Sequence, residues 1–126
     1  MQELRELAKE VKKVLKLEYD GDSIKLLEGF IERQKTQFTQ EEKEGLINSC
    51  AAFLGQCIIE NYGGNWKRDP DDHSYIAFDE KNCVYPFSKV RKQFENGLDD
   101  SIHSFYTVIP WIFKLEPKVK KKWWQF

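Results

Sequence analysis

Apolar residues recur at steps of three and four along the start of the chain, at Leu4, Leu7, Val11, Val14 and Leu15. This spacing gathers them on one face and predicts an amphipathic helix over residues 2–17. "YDGD" breaks the pattern, and Asp22 is placed to cap a second helix carrying Ile24, Leu27, Phe30 and Ile31. "DGD" reads as a turn, because the further oxygen ligands of a calcium loop do not follow it. "TQEE" is a capping box, in which Thr39 accepts from the amide of Glu42 and the Glu42 carboxylate accepts from that of Thr39. The helix it opens, over residues 40–62, is the least polar segment of the chain. Leu46, Ile47, Cys50, Phe53, Leu54, Cys57 and Ile58 form a broad apolar face, and Gly45, Ser49, Ala52 and Gln56 form a second face of small residues. Two packable sides place this helix in the middle of the fold. Gly63 and Gly64 end it, since glycine takes up the left-handed conformation at little cost.

The period then changes to two. "NWKR", "HSYIAF" and "CVY" are short segments parted by the turn sequences "DPDD" and "DEKN", which predicts a three-stranded antiparallel meander. Tyr75 and Ala77 point to one side of it, Ile76 and Phe78 to the other. Pro86 suits the first turn of a helix and Gly97 the position after its end, with Val90 and Phe94 facing inward. Asp99 or Asp100 starts a last helix bearing Ile102, Phe105, Ile109, Ile112 and Phe113, and Pro110 is expected to kink it or end its regular part. The pattern specifies an α+β fold: N-terminal helices and a long central helix, a small three-stranded antiparallel sheet, then two C-terminal helices. No repeat or linker divides residues 1–126, which read as one domain with a tail over residues 114–126.

Charge sharpens the picture of that tail. The net charge is −1, yet residues 114–126 hold five lysines against Glu116, a local +4, so the remaining residues carry −5. An acidic body opposes nucleic-acid binding, which calls for a basic excess. The N-terminus is charged throughout without an apolar core, and no apolar run approaches the roughly 20 residues of a membrane span. The expectation is a cytoplasmic protein, its three cysteines reading as buried free thiols. Cys50 and Cys57, two helical turns apart at about 10 Å, are too distant for a disulfide.

The stretch from Leu54 to Tyr106 carries a resemblance. "LGQCIIENYGGNW" is a helix ending in Gly-Gly before a strand with Trp66. "YPFSKVRKQFENGLDDSIHSFY" sets Pro86 and Phe87 at the opening of a Lys/Arg helix, and Asp100, Ser101, Ser104, Phe105 and Tyr106 in the closing one. This pattern resembles a family of small, functionally uncharacterised bacterial domains that look like toxin-neutralising immunity proteins. The resemblance implies a non-enzymatic protein whose partner is another protein, and it carries no catalytic residue with it.

The residues themselves offer little for catalysis. His73 follows "DPDD" at a turn and reads as a surface side chain; His103 stands three residues after Asp100, within reach of a local pair. Neither has a nucleophile at hand in the sequence, and the histidines and cysteines lack zinc-ligand spacing. "NYGGNW" leaves a helix for a strand, the reverse of a phosphate cradle. No metal or cofactor is expected. Lys89, Arg91 and Lys92 read as the solvated face of their helix. Binding is better served. Asp69, Asp71, Asp72, Asp79 and Glu80 crowd the turns of the meander, and gathered at one edge they would suit a basic toxin cleft. Trp66, Tyr75, Tyr85 and Tyr106 give the alternative, an aromatic pocket for a small molecule. In the tail, Trp123 and Trp124 are anchors for a partner contact, for the chain's own body, or for a homodimer. The reading is an immunity-type inhibitor that covers a toxin's active cleft, with a small-molecule sensing or carrier domain as the alternative.

Overall fold

The structure, a computed structural model, describes residues 2–115. Among them stand the expected elements: helices α1 (Gln2–Leu15), α2 (Gly21–Gln34) and α3 (Gln40–Tyr62), strands β1 (Asn65–Arg68), β2 (Ser74–Ala77) and β3 (Cys83–Val84), and helices α4 (Pro86–Asn96) and α5 (Ile102–Phe113). The sheet is antiparallel in the order β1-β2-β3. Thr39 and Glu42 close their capping box at 3.2 and 2.9 Å.

Three boundaries move for local reasons. α1 stops at Leu15 because Lys16 turns left-handed (φ +56°), and Leu17 then folds back to donate to the Lys12 carbonyl at 2.9 Å. The cap of α2 is Asp20 rather than Asp22: Asp20 is extended and its carboxylate accepts from the Ser23 amide at 2.8 Å. Asp22 sits in the first turn, where its charge favours the positive helix end. Neither Asp99 nor Asp100 starts α5. Both lie in a 3-10 turn over Gly97–Asp100, and Ser101 caps the helix by accepting from the Ser104 amide at 3.0 Å. Asp100 is held by Asn96 at 2.7 Å instead. Pro110 lies inside α5, which runs on to Phe113 and ends where Lys114 turns left-handed.

α3 is the axis of the fold. Every residue from Ala51 to Ile58 is buried, so its two expected faces merge into a circumference covered chiefly by α1 and α4, with α5 and α2 adding to it. The sheet reaches it at Gly55, where a Cβ would stand 2.2 Å from the Trp66 ring. Only glycine admits Trp66 there. The smaller face is uneven, for Gly45 is exposed and a Cβ on it would meet nothing within 4 Å.

Sequence pattern did not reveal a buried polar knot joining α2, α4 and α5. Gln93, fully buried, donates to the Glu28 carbonyl at 3.3 Å and to the Glu32 carboxylate at 3.2 Å, and accepts from the Ile102 amide at 2.9 Å. Glu28 is also buried and accepts from the Ser101 hydroxyl, while its outer oxygen lies 3.8 Å from Lys25. A buried amide with both ends satisfied fixes how three helices meet.

Candidate functional site

Alternation along the strands divides the sheet into two unlike faces. Trp66, Ile76 and Val84 are cross-strand partners and all are buried. Lys67 pairs with Tyr75 and Ala77 with Cys83, so these residues, with Tyr85 one step beyond Val84, share the opposite face. There Tyr75 and Tyr85 stack with ring centres 5.2 Å apart at 30°. They form the floor of a depression of about 460 Å³ rimmed by Asp69, Asp79, Glu80, Lys67 and Lys81.

The two β-turns build the rim. Asp69 closes the first by accepting from the amides of Asp71 and His73 at 3.0 and 2.9 Å, while its second oxygen takes the Tyr85 hydroxyl at 3.3 Å. Asp79 closes the second by accepting from the amides of Lys81 and Asn82, each at 2.8 Å, and from the Asn82 side chain at 2.9 Å. The His73 amide first, and then that of Asp71, hold the Asp69 carboxyl below the usual range. The Asn82 side chain and the Lys81 amide do the same for Asp79. Desolvation, and then the Asp69 charge, push the Tyr85 phenol up. Tyr85 is thus a hydrogen-bonded, un-ionised ring whose hydroxyl is tied to the turn and whose face stays open.

The expected acidic residues therefore have two roles. Asp69 and Asp79 shape the turns with their carboxylates. Asp71, Asp72 and Glu80 are exposed; Asp72 is 3.4 Å from Arg68 and reaches into a neighbouring cleft shared with Tyr85, His73 and Arg91. Asp69, Asp71 and His73 bring one ligand-type atom each within 4.8 Å of one another, a closeness that follows from Asp69 closing the loop.

The four aromatics expected to share a pocket are parted. Tyr75 and Tyr85 are together on the outer face. Trp66 is buried on the inner face, edge-on to Phe87 with ring centres 6.2 Å apart. Tyr106 is buried at the end of α3, 5.0 Å from the Tyr62 ring, its hydroxyl accepting from Asn61 at 2.9 Å. Desolvation raises its phenol far above the usual value. Period-two spacing and helical spacing each predicted an orientation, but neither related the strands to α5.

His73 is exposed and lies 3.4 Å from the Asp69 carboxylate, as a turn side chain should. The pair expected between His103 and Asp100 is replaced: Asp100 lies 4.0 Å from Lys89, and the His103 amide reaches Glu28 at 3.4 Å. The solvated face of α4 is partly paired, since Arg91 grips Glu44 with two bonds of 2.6 and 2.9 Å. That contact, with the Arg91 hydrogen bonds as the larger cause, lowers the Glu44 carboxyl. Trp123 and Trp124, and with them any homodimer through the tail, lie outside the described residues.

Two features were missed. Cys83 is exposed and lines the depression, whereas Cys50 and Cys57 are buried. Desolvation pushes the Cys50 thiol up to about 12. Cys83 shares its strand parity with Tyr85, so alternation carried through β3 would have found it. The second feature is an exposed apolar stripe on α5, Val108, Trp111 and Ile112. Comparison of the chain with family models, curated proteins and solved structures found no match. None of the helices among the described residues is long and apolar enough to cross a membrane.

Proposed function

We propose that this chain is a non-enzymatic binding protein, an inhibitor of immunity type, which applies the outer face of its sheet to the basic active cleft of a toxin. The stacked, open Tyr75–Tyr85 pair carries this reading. Stacked tyrosines on a rigid sheet offer large contact area with little side-chain entropy to lose, and their faces attract lysine and arginine. Glu80, Asp71 and Asp72 add negative charge around them, which steers a basic partner and speeds encounter. The turn-forming carboxylates hold the rim in shape before the partner arrives.

Cys83 supplies the test. The exposed thiol is the natural attachment point for a photo-crosslinker, because the other two are buried. Crosslinking in the source cell should capture a basic protein, and Tyr75→Ala with Tyr85→Ala should abolish the capture. Co-expression of the intact chain should then protect cells from the captured protein. Capture that is indifferent to the tyrosines, or confined to acidic proteins, would refute the proposal.

A further inference from the structure

α5 carries polar side chains at His103, Ser104 and Thr107 in its first half and none beyond. Between Ile102 and Phe113 it carries no Asp, Glu, Lys or Arg. Ile102, Tyr106 and Ile109 are buried against the body, while Val108, Trp111 and Ile112 line the opposite face, Trp111 being 83% exposed. An apolar stripe on a helix ordinarily faces a covering surface. Scattered surface leucines need no explanation, but a tryptophan beside an isoleucine and a valine on one stripe does.

We propose that this stripe is the docking surface of the chain's own segment 116–126. Three observations select that occupant. The first is position. The described chain ends three residues past the stripe: Lys114 turns left-handed, its amide and that of Leu115 both donate to the Pro110 carbonyl, and Leu115 packs on the core. The chain is thereby turned back at the end of α5. Eleven residues span on the order of 35 Å when extended, whereas the stripe runs about 8 Å back along the helix.

The second is chemistry. Segment 116–126 carries Val119, Trp123, Trp124 and Phe126, apolar side chains matched to an apolar stripe. Its lysines give residues 114–126 a charge of +4 against −5 on the rest of the chain. An uncharged helix face leaves those lysines to water and to carboxylates of the body.

The third is size. The exposed ring of a tryptophan offers on the order of 200 Å², and its two smaller neighbours add less. Two free molecules forming a stable complex bury ~800 Å² each. A tethered segment meets its site at high effective concentration and needs far less area. The stripe is too small for a second copy or a foreign partner alone, and adequate for a segment already attached beside it.

The test uses the full chain with 5-fluorotryptophan at its tryptophans, the Trp111 resonance being assigned with Trp111→Phe. The solvent isotope shift of that resonance between H2O and D2O reads its exposure. The intact chain should show Trp111 protected, at every protein concentration. The double variant Trp123→Ser, Trp124→Ser should bring it to the fully exposed shift, with the buried Trp66 resonance unmoved as the control for folding. Three results would each overturn the proposal. One is Trp111 fully exposed in the intact chain. Another is protection that persists in the double variant, where another segment would be the cover. The third is protection that vanishes on dilution together with a fall in mass, which would make the occupant a second copy.

Discussion

The two faces of the sheet are made by alternate residues of the same three short strands and are unlike. Towards α3 lie Trp66, Ile76 and Val84, all buried. Towards solvent lie Lys67, Tyr75, Cys83 and Tyr85 around a polar-rimmed depression. One step along a strand separates a side chain that holds the fold together from one that is free to meet a partner. Aromatic content alone does not tell them apart. Trp66 and Tyr85 differ in what their surroundings leave open.

The inner face should be the costly one to disturb. Trp66→Ala or Phe53→Ala removes a ring packed around the centre of α3, and each should cost about 3–5 kcal/mol, read as a lower urea midpoint. A midpoint that hardly moves would make the sheet an appendage. Gly55→Ala pushes a methyl group into the Trp66 ring. It should cost about 1–3 kcal/mol by overpacking, and Trp66→Phe in the same chain should recover part of that loss.

The rim should respond to acid. The lowered carboxyls of Asp69 and Asp79 add stability that is complete above the unfolded value, near ~3.9. It is lost as pH falls through their lower folded values. Asn at both positions keeps an acceptor but removes the titration. Melting temperatures of that variant should therefore fall less steeply below pH ~4 than those of the original chain. An identical acid limb would show that the turns owe nothing to these charges.

Smallest in stability is the outer rim. Replacing Asp71, Asp72 and Glu80 by their amides should leave the midpoint within ~0.5 kcal/mol. It should slow association with a basic partner, most at low salt. Equal rates at every salt concentration would remove electrostatic steering from the account.

Much of this architecture was legible in the sequence. The capping box of Thr39 and Glu42, the stop at Gly63–Gly64, the change of period and Pro86 opening α4 are local signals, and local chemistry decided them. The choice of Asp20 over Asp22 was not legible, because both residue types are good caps and they stand only two positions apart. Gln93 gave no signal, since its partners come from two other helices. The outer face was half legible. Tyr75, Tyr85 and the turn acids were expected to bind, but alternation could not show that Trp66 and Tyr106 lie elsewhere. In α5 large apolar residues lie on both faces, Ile102 and Ile109 inward, Trp111 and Ile112 outward, so periodicity gave no means to choose the inner one.

On the proposed function, Tyr75 and Tyr85 bind a partner without holding the fold. The protein captured at Cys83 can be titrated against the intact chain and the Tyr75→Ala, Tyr85→Ala variant, with melting followed in parallel. The variant should bind about tenfold or more weakly, as for removal of an interface anchor, with a melting temperature nearly unchanged. Equal affinity for the two chains would contradict it.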